Sequence, residues 1–418
     1  MRILFLTENF PPERNASAAR VYERACYWVK WGHEVTVLTC APNFPEGKVF
    51  PGYRNRWYQA EMVDGIRVVR VKTFITANEG IVLRTLDFLS FMGSAIVVGL
   101  FQKAPDVVIS TSPQFFAAIG GWSLAGLRGK PFIFELGDLW PASIAAVGAM
   151  GENVFLHWME RLELFLYRRS AAVIALTSSF KDDLVRRGIP RGKIAVVVNG
   201  VDLPRYAPRP RDLELAKTYG LDEHFVVGYI GTHGMAHALD KVLDVAERME
   251  RLPDVRFLFV GGGAGKAKLE EELAKRKLKN VVLVSPQPKE RMPEFWSLCS
   301  VALVHLKDTP VFQSVIPSKL FEAMGMGLPI LLASPKGEAS SIVEKEEAGL
   351  WVPAEDPAAL EQGILRLKDD GAFYRLCASR SHDAAPRYSR ERQARDVLNI
   401  AVDVMKGNGG AVGIGESA

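Results

Sequence analysis

The chain has 418 residues, 48% of them hydrophobic and 24% charged, the composition of a globular protein with room for two or three domains. Its net charge of only +4 excludes a strongly basic nucleic-acid binder and an acidic disordered chain. A core of this size needs no disulfide or metal staple, and Cys26, Cys40, Cys299 and Cys377 lie too far apart for a zinc site or a disulfide framework, which fits a reducing compartment.

In chain order, the opening MRILFLTENFPPE is too short for a signal peptide and reads as a buried first strand. Further continuously apolar runs follow at Val35–Thr39, Ile66–Val71, Val107–Ser110, Phe132–Glu135, Val173–Thr177 and Ile194–Val198. Such runs are expected of parallel strands covered on both faces. Ala18–Trp31, stopped by Gly32, reads as the first amphipathic helix. The second half repeats the alternation. Strands are expected at Val226–Ile230, Val255–Val260, Val281–Val284, Val301–Val304, Ile330–Leu332 and Gly349–Val352. Helices are expected at Ala238–Met249, Lys266–Lys275, Met292–Leu298, Ser318–Met324 and Pro357–Asp369. This predicts two doubly wound α/β domains, residues 1–200 and 201–386, divided at Asn199-Gly200-Val201-Asp202. The Gly-rich tail, 407–418, is expected to be disordered.

Charge is unevenly shared between the halves. Residues 1–200 hold 23 Lys and Arg against 17 Asp and Glu, and residues 201–418 hold 29 against 31. Two apolar, base-flanked segments fall in the basic half. One is Leu83–Phe101, with Arg84 and Lys103; the other is Phe155–Arg169, ending in Arg168-Arg169. Each reads either as a buried helix or as a helix lying on an anionic membrane surface; neither is long enough to span a bilayer.

Ligands of open α/β sheets bind at the carboxyl ends of strands, and a site is expected in a cleft between the two domains. Gly261, Gly262 and Gly263 end an apolar run, but Lys266, Val260 and Ala267 stand where dinucleotide and P-loop fingerprints need other residues, so NAD and ATP are disfavoured. The sharpest candidate is Ile316-Pro317-Ser318-Lys319-Leu320-Phe321-Glu322. Ser318 reads as an N-cap, and the helix start as a phosphate site. Lys319 opposes the helix dipole unless an anion answers it, and Glu322, one turn on, suits ribose hydroxyls. In the first half, Glu135 and Asp138 end a strand, Asp138 being an acid/base or acceptor-orienting candidate. Glu13 and Asn15, in a loop feeding a helix, and Arg20 one turn into it, are further cleft candidates. No D-x-D or H-E-x-x-H cluster appears and the seven histidines are scattered, so no metal or other cofactor is expected.

The pieces ILFLTENFPPE, GHEVTVLT, PDVVIS, ELGDLWP, VVNGVD, FLFVGGG and IPSKLFEAMGMGLPIL occur in that order from residue 1 onward. With them the chain resembles GT-B-fold glycosyltransferases of the large retaining family 4. It is most similar to the bacterial surface-polysaccharide branch of N-acetyl-L-fucosamine transferase-like and colanic-acid members. The resemblance implies two Rossmann-like domains facing across a cleft, an acceptor domain first and a donor domain second. A last helix, about 387–406, is expected to cross back to the first domain. It implies metal-independent, retaining transfer of an N-acetylated or deoxy hexose from a nucleoside-diphosphate sugar, with UDP as the expected nucleotide. The implied acceptor is lipid-linked or saccharide, at the inner face of the cell membrane in surface-polysaccharide synthesis.

By the same resemblance, Glu322 matches the second Glu of the E-x7-E motif and binds ribose. Pro317, Ser318, Lys319 and Leu320 match the pyrophosphate-binding stretch. Val284 and Pro286 lie where backbone contacts the base, and Gly231 opens the donor-domain phosphate loop. Asp138, Lys319 and Glu322 are the implied catalytic set. Three positions depart from the pattern. Ser314 replaces the first Glu, Thr232 and His237 replace the usual Arg and Lys, and Gly137 replaces the His before Asp138. A UDP-sugar 2-epimerase would share the architecture, and a non-catalytic membrane scaffold on a degenerate transferase fold would share the surface.

Overall fold

In a computed structural model, the structure describes residues 1–13, 15–44, 46–76, 81–112, 115–138 and 154–407. The Trp140-Pro141 end of the Asp138 segment, residues 155 and 156 of the second apolar segment as side chains, and the tail from 408 lie outside this description. The chain divides into two compact units. One is Met1–Val198 with the chain from Gln393; the other is Asn199–Arg392. The first division therefore falls just before position 200, and the second falls inside the last helix rather than at residue 386.

The first unit runs β1 (Arg2–Leu6), α1 (Ala16–Lys30), β2 (Glu34–Cys40), β3 (Tyr58–Val63), β4 (Ile66–Val71), α2 (Ile81–Leu100), β5 (Val107–Thr111), α3 (Phe115–Leu127), β6 (Phe132–Leu136), α4 (Val154–Arg169), β7 (Ala172–Ala175), α5 (Ser178–Arg186) and β8 (Ile194–Val196). Its sheet has the order β3-β4-β2-β1-β5-β6-β7-β8, and every neighbouring pair except β3–β4 is parallel. The apolar runs form strands for the reason given by their pattern: both faces are covered. Leu4, Leu38, Val108 and Phe134 pack with α2, α3 and α4 on one face. Phe5, Val37, Ile109 and Ile133 pack with α1 and with Ala394, Val397 and Ile400 on the other.

Two features depart from expectation. β3 is an antiparallel edge strand, joined to β4 through Asp64 and Gly65, both at positive φ as a tight hairpin turn requires. Of the two readings open for the helix over Leu83–Phe101, the structure does not bear out the buried one. By length and composition Leu83–Leu100 is long and apolar enough to cross a membrane, which corrects the expectation that neither segment could span a bilayer, and only 17% of it is buried, along the narrow stripe Phe91, Ala95 and Gly99.

The second unit runs α6 (Leu213–Thr218), β9 (Phe225–Ile230), α7 (Leu239–Arg248), β10 (Val255–Val260), α8 (Lys266–Arg276), β11 (Val281–Val284), α9 (Met292–Ser297), β12 (Val301–His305), α10 (Ser318–Met326), β13 (Ile330–Ala333), α11 (Glu338–Lys345), β14 (Gly349–Val352), α12 (Pro357–Asp369) and α13 (Gly371–Ala384). The all-parallel sheet has the order β11-β10-β9-β12-β13-β14. The order reverses between β9 and β12, and α/β sheets offer ligands a crevice where neighbouring crossovers diverge in this way. The last helix, α14 (Arg390–Met405), begins in the second unit and ends in the core of the first, where Trp28 donates its indole N–H to the Ala394 carbonyl at 2.8 Å. At its start, the Arg390 backbone N–H donates to the Val201 carbonyl at 2.7 Å, the Val201 N–H donates to the Tyr388 carbonyl at 2.9 Å, and the Arg390 guanidinium donates to Asn199 Oδ1 at 2.7 Å.

Candidate active site

The switch point of the second sheet is built from glycines. After β9, Gly231 has φ +134°; after β10, Gly261 has φ +147°. A Cβ on Gly261 would stand 1.9 Å from the Gly231 carbonyl oxygen, so only glycine lets these two loops touch. His233 locks them by donating its backbone N–H to the Gly262 carbonyl at 2.8 Å and accepting from Gly265 at 2.7 Å. Thr232 accepts at its carbonyl from the Tyr229 hydroxyl at 2.8 Å. Pro286, beyond the half-buried β11, packs over Gly262, and Val284 is buried at the end of that strand.

Into this loop pair projects Lys319 from the first turn of α10. The helix starts at Ser318, but its N-cap is Pro317, in extended conformation with no side-chain cap. This corrects the expected Ser318 cap: Ser318 is the first helical residue, and Pro317 has no hydroxyl with which to bind the helix amides. The Lys319 side chain is not solvated. It is 7% exposed, its Nζ lies 3.5 Å from the centroid of the Tyr229 ring, and it has no hydrogen-bond partner among the described residues. Burial pushes its pKa down to about 7, with Glu322 opposing the shift. The ring face partly replaces the lost water. Glu322, one turn on, accepts from the indole N–H of buried Trp296 at 3.2 Å, which fixes one carboxylate oxygen. Leu320 is fully buried and anchors the turn.

Three imidazoles surround this lysine. His237 Nδ1 lies 3.1 Å from the His305 carbonyl, and His305 Nδ1 lies 2.7 Å from the His237 carbonyl. A carbonyl only accepts, so both rings carry their proton on Nδ1. His233 is fully buried, with neither ring nitrogen hydrogen-bonded among the described residues. Burial first, then Lys319, lowers both His233 and His237 to about 4. The strand ends thus present a latent positive field and donor groups, a setting for phosphate oxygens.

The candidates of the first unit are placed differently. Asn15 caps α1, its side chain accepting from Ala18 N at 2.8 Å. Glu13 is buried and accepts from the Asn43 and Phe44 amides at 2.8 and 2.9 Å. Glu135 is fully buried and bridges two cations, Arg20 Nε at 3.0 Å and Arg24, whose guanidinium stacks on Phe5 and Trp28. Arg20 also donates to Thr111 Oγ1 at 3.1 Å. Asn15 therefore starts α1, while Glu13, Arg20 and Glu135 tie α1 and the loop before it to the ends of the first sheet's strands. Of the first-unit set, Asp138 stands past β6 and is partly exposed. Replacing Glu135 with alanine should strand two buried guanidinium groups and cost about 3–5 kcal/mol, read as a lowered urea midpoint by circular dichroism. A wild-type midpoint would contradict the pairing's structural role.

Two family models cover most of the chain. Residues 15–200 match the Glycosyl transferase 4-like domain and residues 224–370 match Glycosyl transferases group 1. The chain is a glycosyltransferase of the GT-B, family 4 type. WcaI of Escherichia coli (strain K12), whose name places it in colanic acid biosynthesis, is 24% identical over 78% of this chain and 82% of its own length. The GDP-mannose-dependent alpha-mannosyltransferase of Mycobacterium tuberculosis is 25% identical over 91% and 92%. Among solved structures, sucrose-phosphate synthase from Thermosynechococcus elongatus aligns with TM-score 0.74 at 17% identity, covering 97% of this chain and 99% of its own. Anabaena HepE in complex with UDP aligns with TM-score 0.70 at 16% identity, covering 95% and 98%. Both share the fold.

In this transferase, four residues of the site carried no clear sequence signal. Tyr229 sits inside an apolar run and reads as core. His233 and His305 are single histidines, and Trp296 sits in a short helix far in sequence from Glu322. The Thr232-His233-Gly234 step beside Gly231 was the available clue to His233. Ser314, where the family's first Glu would fall, donates its hydroxyl to the Val311 carbonyl at 3.1 Å.

Proposed function

We propose that the transferase moves an N-acetylated or deoxy hexosyl group from a UDP-sugar to a lipid-linked or saccharide acceptor, with retention and without a metal, in bacterial surface-polysaccharide synthesis. The observation that carries this reading is the buried Lys319 beside Glu322 at the start of α10, where the second sheet reverses order. A cation buried without a carboxylate hydrogen-bonded to it is costly unless an anion visits. A helix start next to free-conformation glycines is the geometry diphosphates use. No group of three His, Cys, Asp or Glu among the described residues could hold a metal ion, and the reading assigns charge neutralisation to Lys319.

In the proposed reaction, the acceptor oxygen bonds to the anomeric carbon as the bond to the β-phosphate oxygen breaks. The nucleoside diphosphate leaves with the electron pair, and the acceptor proton passes to a phosphate oxygen. Lys319 and the α10 amides stabilise the growing charge. Glu322 holds the ribose hydroxyls, Val284 and Pro286 border the base, and Asp138 orients the acceptor. UDP is favoured by the fold shared with a UDP-binding neighbour, whereas the mannosyltransferase relative points to GDP. Incubation with UDP-, GDP- and dTDP-sugars and a bacterial lipid extract tests the assignment. Release of UDP with product formed on lipid is expected; turnover with GDP-sugars alone would reassign the base, and no release from any donor would end the reading.

The acceptor half of the proposal includes a membrane face. Leu83, Leu86 and Val97 of α2, Phe101 after it, Leu127 of α3 and Trp158 of α4 are exposed on helices that cover one face of the first sheet. Arg84, Lys103, Arg128, Arg168 and Arg169 border them, and this half carries the chain's positive excess. Apolar side chains ringed by cations match the inner-leaflet surface of anionic lipid, each cation contributing about 1 kcal/mol. The protein should sediment with phosphatidylglycerol vesicles at low salt and partly release at high salt; a protein left in the supernatant at low salt would rule this face out.

A further inference from the structure

The histidine beside the donor lysine has no structural task that its burial explains. His233 is fully buried, its backbone ties the two glycine loops, and its imidazole hydrogen-bonds to nothing among the described residues. Its Nε2 lies 3.3 Å from where a Gly261 side chain would begin, and Lys319 Nζ lies 3.4 Å from the same position on Gly231. The two glycines are in backbone contact, so the imidazole and the ammonium flank one small glycine-lined surface. Both ring and lysine pack near Tyr229, whose ring centroid lies 5.9 Å from that of His233 and 3.5 Å from Nζ. Two unsatisfied buried donors on one surface match one multivalent anion.

Resting on the donor site assigned above, we propose that Lys319 and His233 together bind the donor's diphosphate, and that binding takes up a proton. His233 then becomes a donor-binding residue in its own right. The proton linkage follows from what faces the pair. On Lys319, burial outweighs the Glu322 carboxylate, so the amine of the empty site titrates near 7. Tyr229, on the strand beneath it, is held protonated by burial and supplies no charge. Burial first, then Lys319 and Lys266, disfavour a charged His233, and Glu270 opposes them. His237 and His305, locked as Nδ1–H tautomers, are lowered by burial and by Lys319 and add no counter-charge. A diphosphate reverses this balance and restores the ammonium. The bound pKa therefore exceeds the free one, and affinity is fullest below about pH 7 and falls as pH rises above it.

Calorimetric titration of UDP into the full chain at pH 8, in buffers of differing ionisation enthalpy, reads the protons directly. At that pH free UDP is fully ionised, so uptake reports on the protein. About one proton taken up per UDP is expected, with Kd weakening about tenfold per pH unit above pH 8. His233→Phe keeps the ring volume but removes the donor, and should weaken UDP about ten- to hundredfold; His233→Gln restores an N–H and should recover much of it. Uridine, which lacks the diphosphate, should bind without proton uptake. UDP binding with no proton uptake, or with wild-type affinity in His233→Phe, overturns the inference and leaves the donor site standing. Failure of UDP, GDP and dTDP alike to bind would remove the donor site itself.

Discussion

Replacing Lys319 with methionine should lower kcat/KM about a hundred- to thousandfold and yet leave the melting temperature unchanged or raised. The two effects separate because the lysine is buried for catalysis rather than for packing. A positioned charge facing a leaving group contributes on this scale to a transition state. In the empty protein the same ammonium is desolvated and answered mainly by an aromatic face, and methionine of similar length fills the space without that cost. The pH dependence of stability should change with it. The unfolded chain carries an ordinary lysine, whereas the folded one titrates near 7. Between those values the unfolded state binds more protons, so this residue makes stability rise with pH from about 7 toward 10, and its cost is fully present below 7. In Lys319→Met that rise should be absent. Thermal unfolding of both proteins across this range, with donor kinetics at one pH, checks it; a variant that is both active and destabilised would contradict the assignment.

Glu322→Ala should reduce kcat/KM at least about a hundredfold, through loss of charged hydrogen bonds to ribose that contribute about 1.5–3 kcal/mol each. Here stability should fall as well, by about 1–3 kcal/mol, because the Trp296 indole N–H loses the carboxylate that satisfies it. This sign is opposite to that for Lys319. Donor kinetics and the melting temperature of the variant are the measurements, and wild-type kcat/KM would refute the ribose role.

The fold was legible wherever a strand was covered on both faces. Val255–Val260 and Gly349–Val352 form strands with the bounds their apolar runs suggest, and Pro357–Asp369 forms the helix marked by Asp356 and Pro357. β3 escaped because its edge position leaves it half-exposed, with alternating rather than continuous burial, although Asp64-Gly65 signalled its hairpin. The buried state of α2 could not be read from apolarity, since composition says nothing about whether a neighbour arrives to cover a helix. At the candidate site, Lys319, Glu322 and Gly231 stand out in the sequence because a helix start and a strand end are local features, and the structure brings Lys319 against Gly231. Glu13, Arg20 and Glu135 looked like cleft groups for the same reason, but their partners lie far away in sequence: Glu135 pairs with Arg20 and Arg24, and Glu13 with the Asn43 and Phe44 amides, whereas Asn15 caps its own helix. Trp296 meets Glu322, and His233 meets the Gly261 and Gly262 loop, across long stretches of sequence, which spacing along a single chain does not encode.

A crystal structure of the full chain with UDP is the most direct test of the central claim, that the start of α10 is a nucleotide-sugar donor site. The diphosphate is expected against Gly231 and the first turn of α10 within hydrogen-bond reach of Lys319 Nζ, with both ribose hydroxyls on Glu322. UDP bound at another place, or bound here with its ribose away from Glu322, would contradict it.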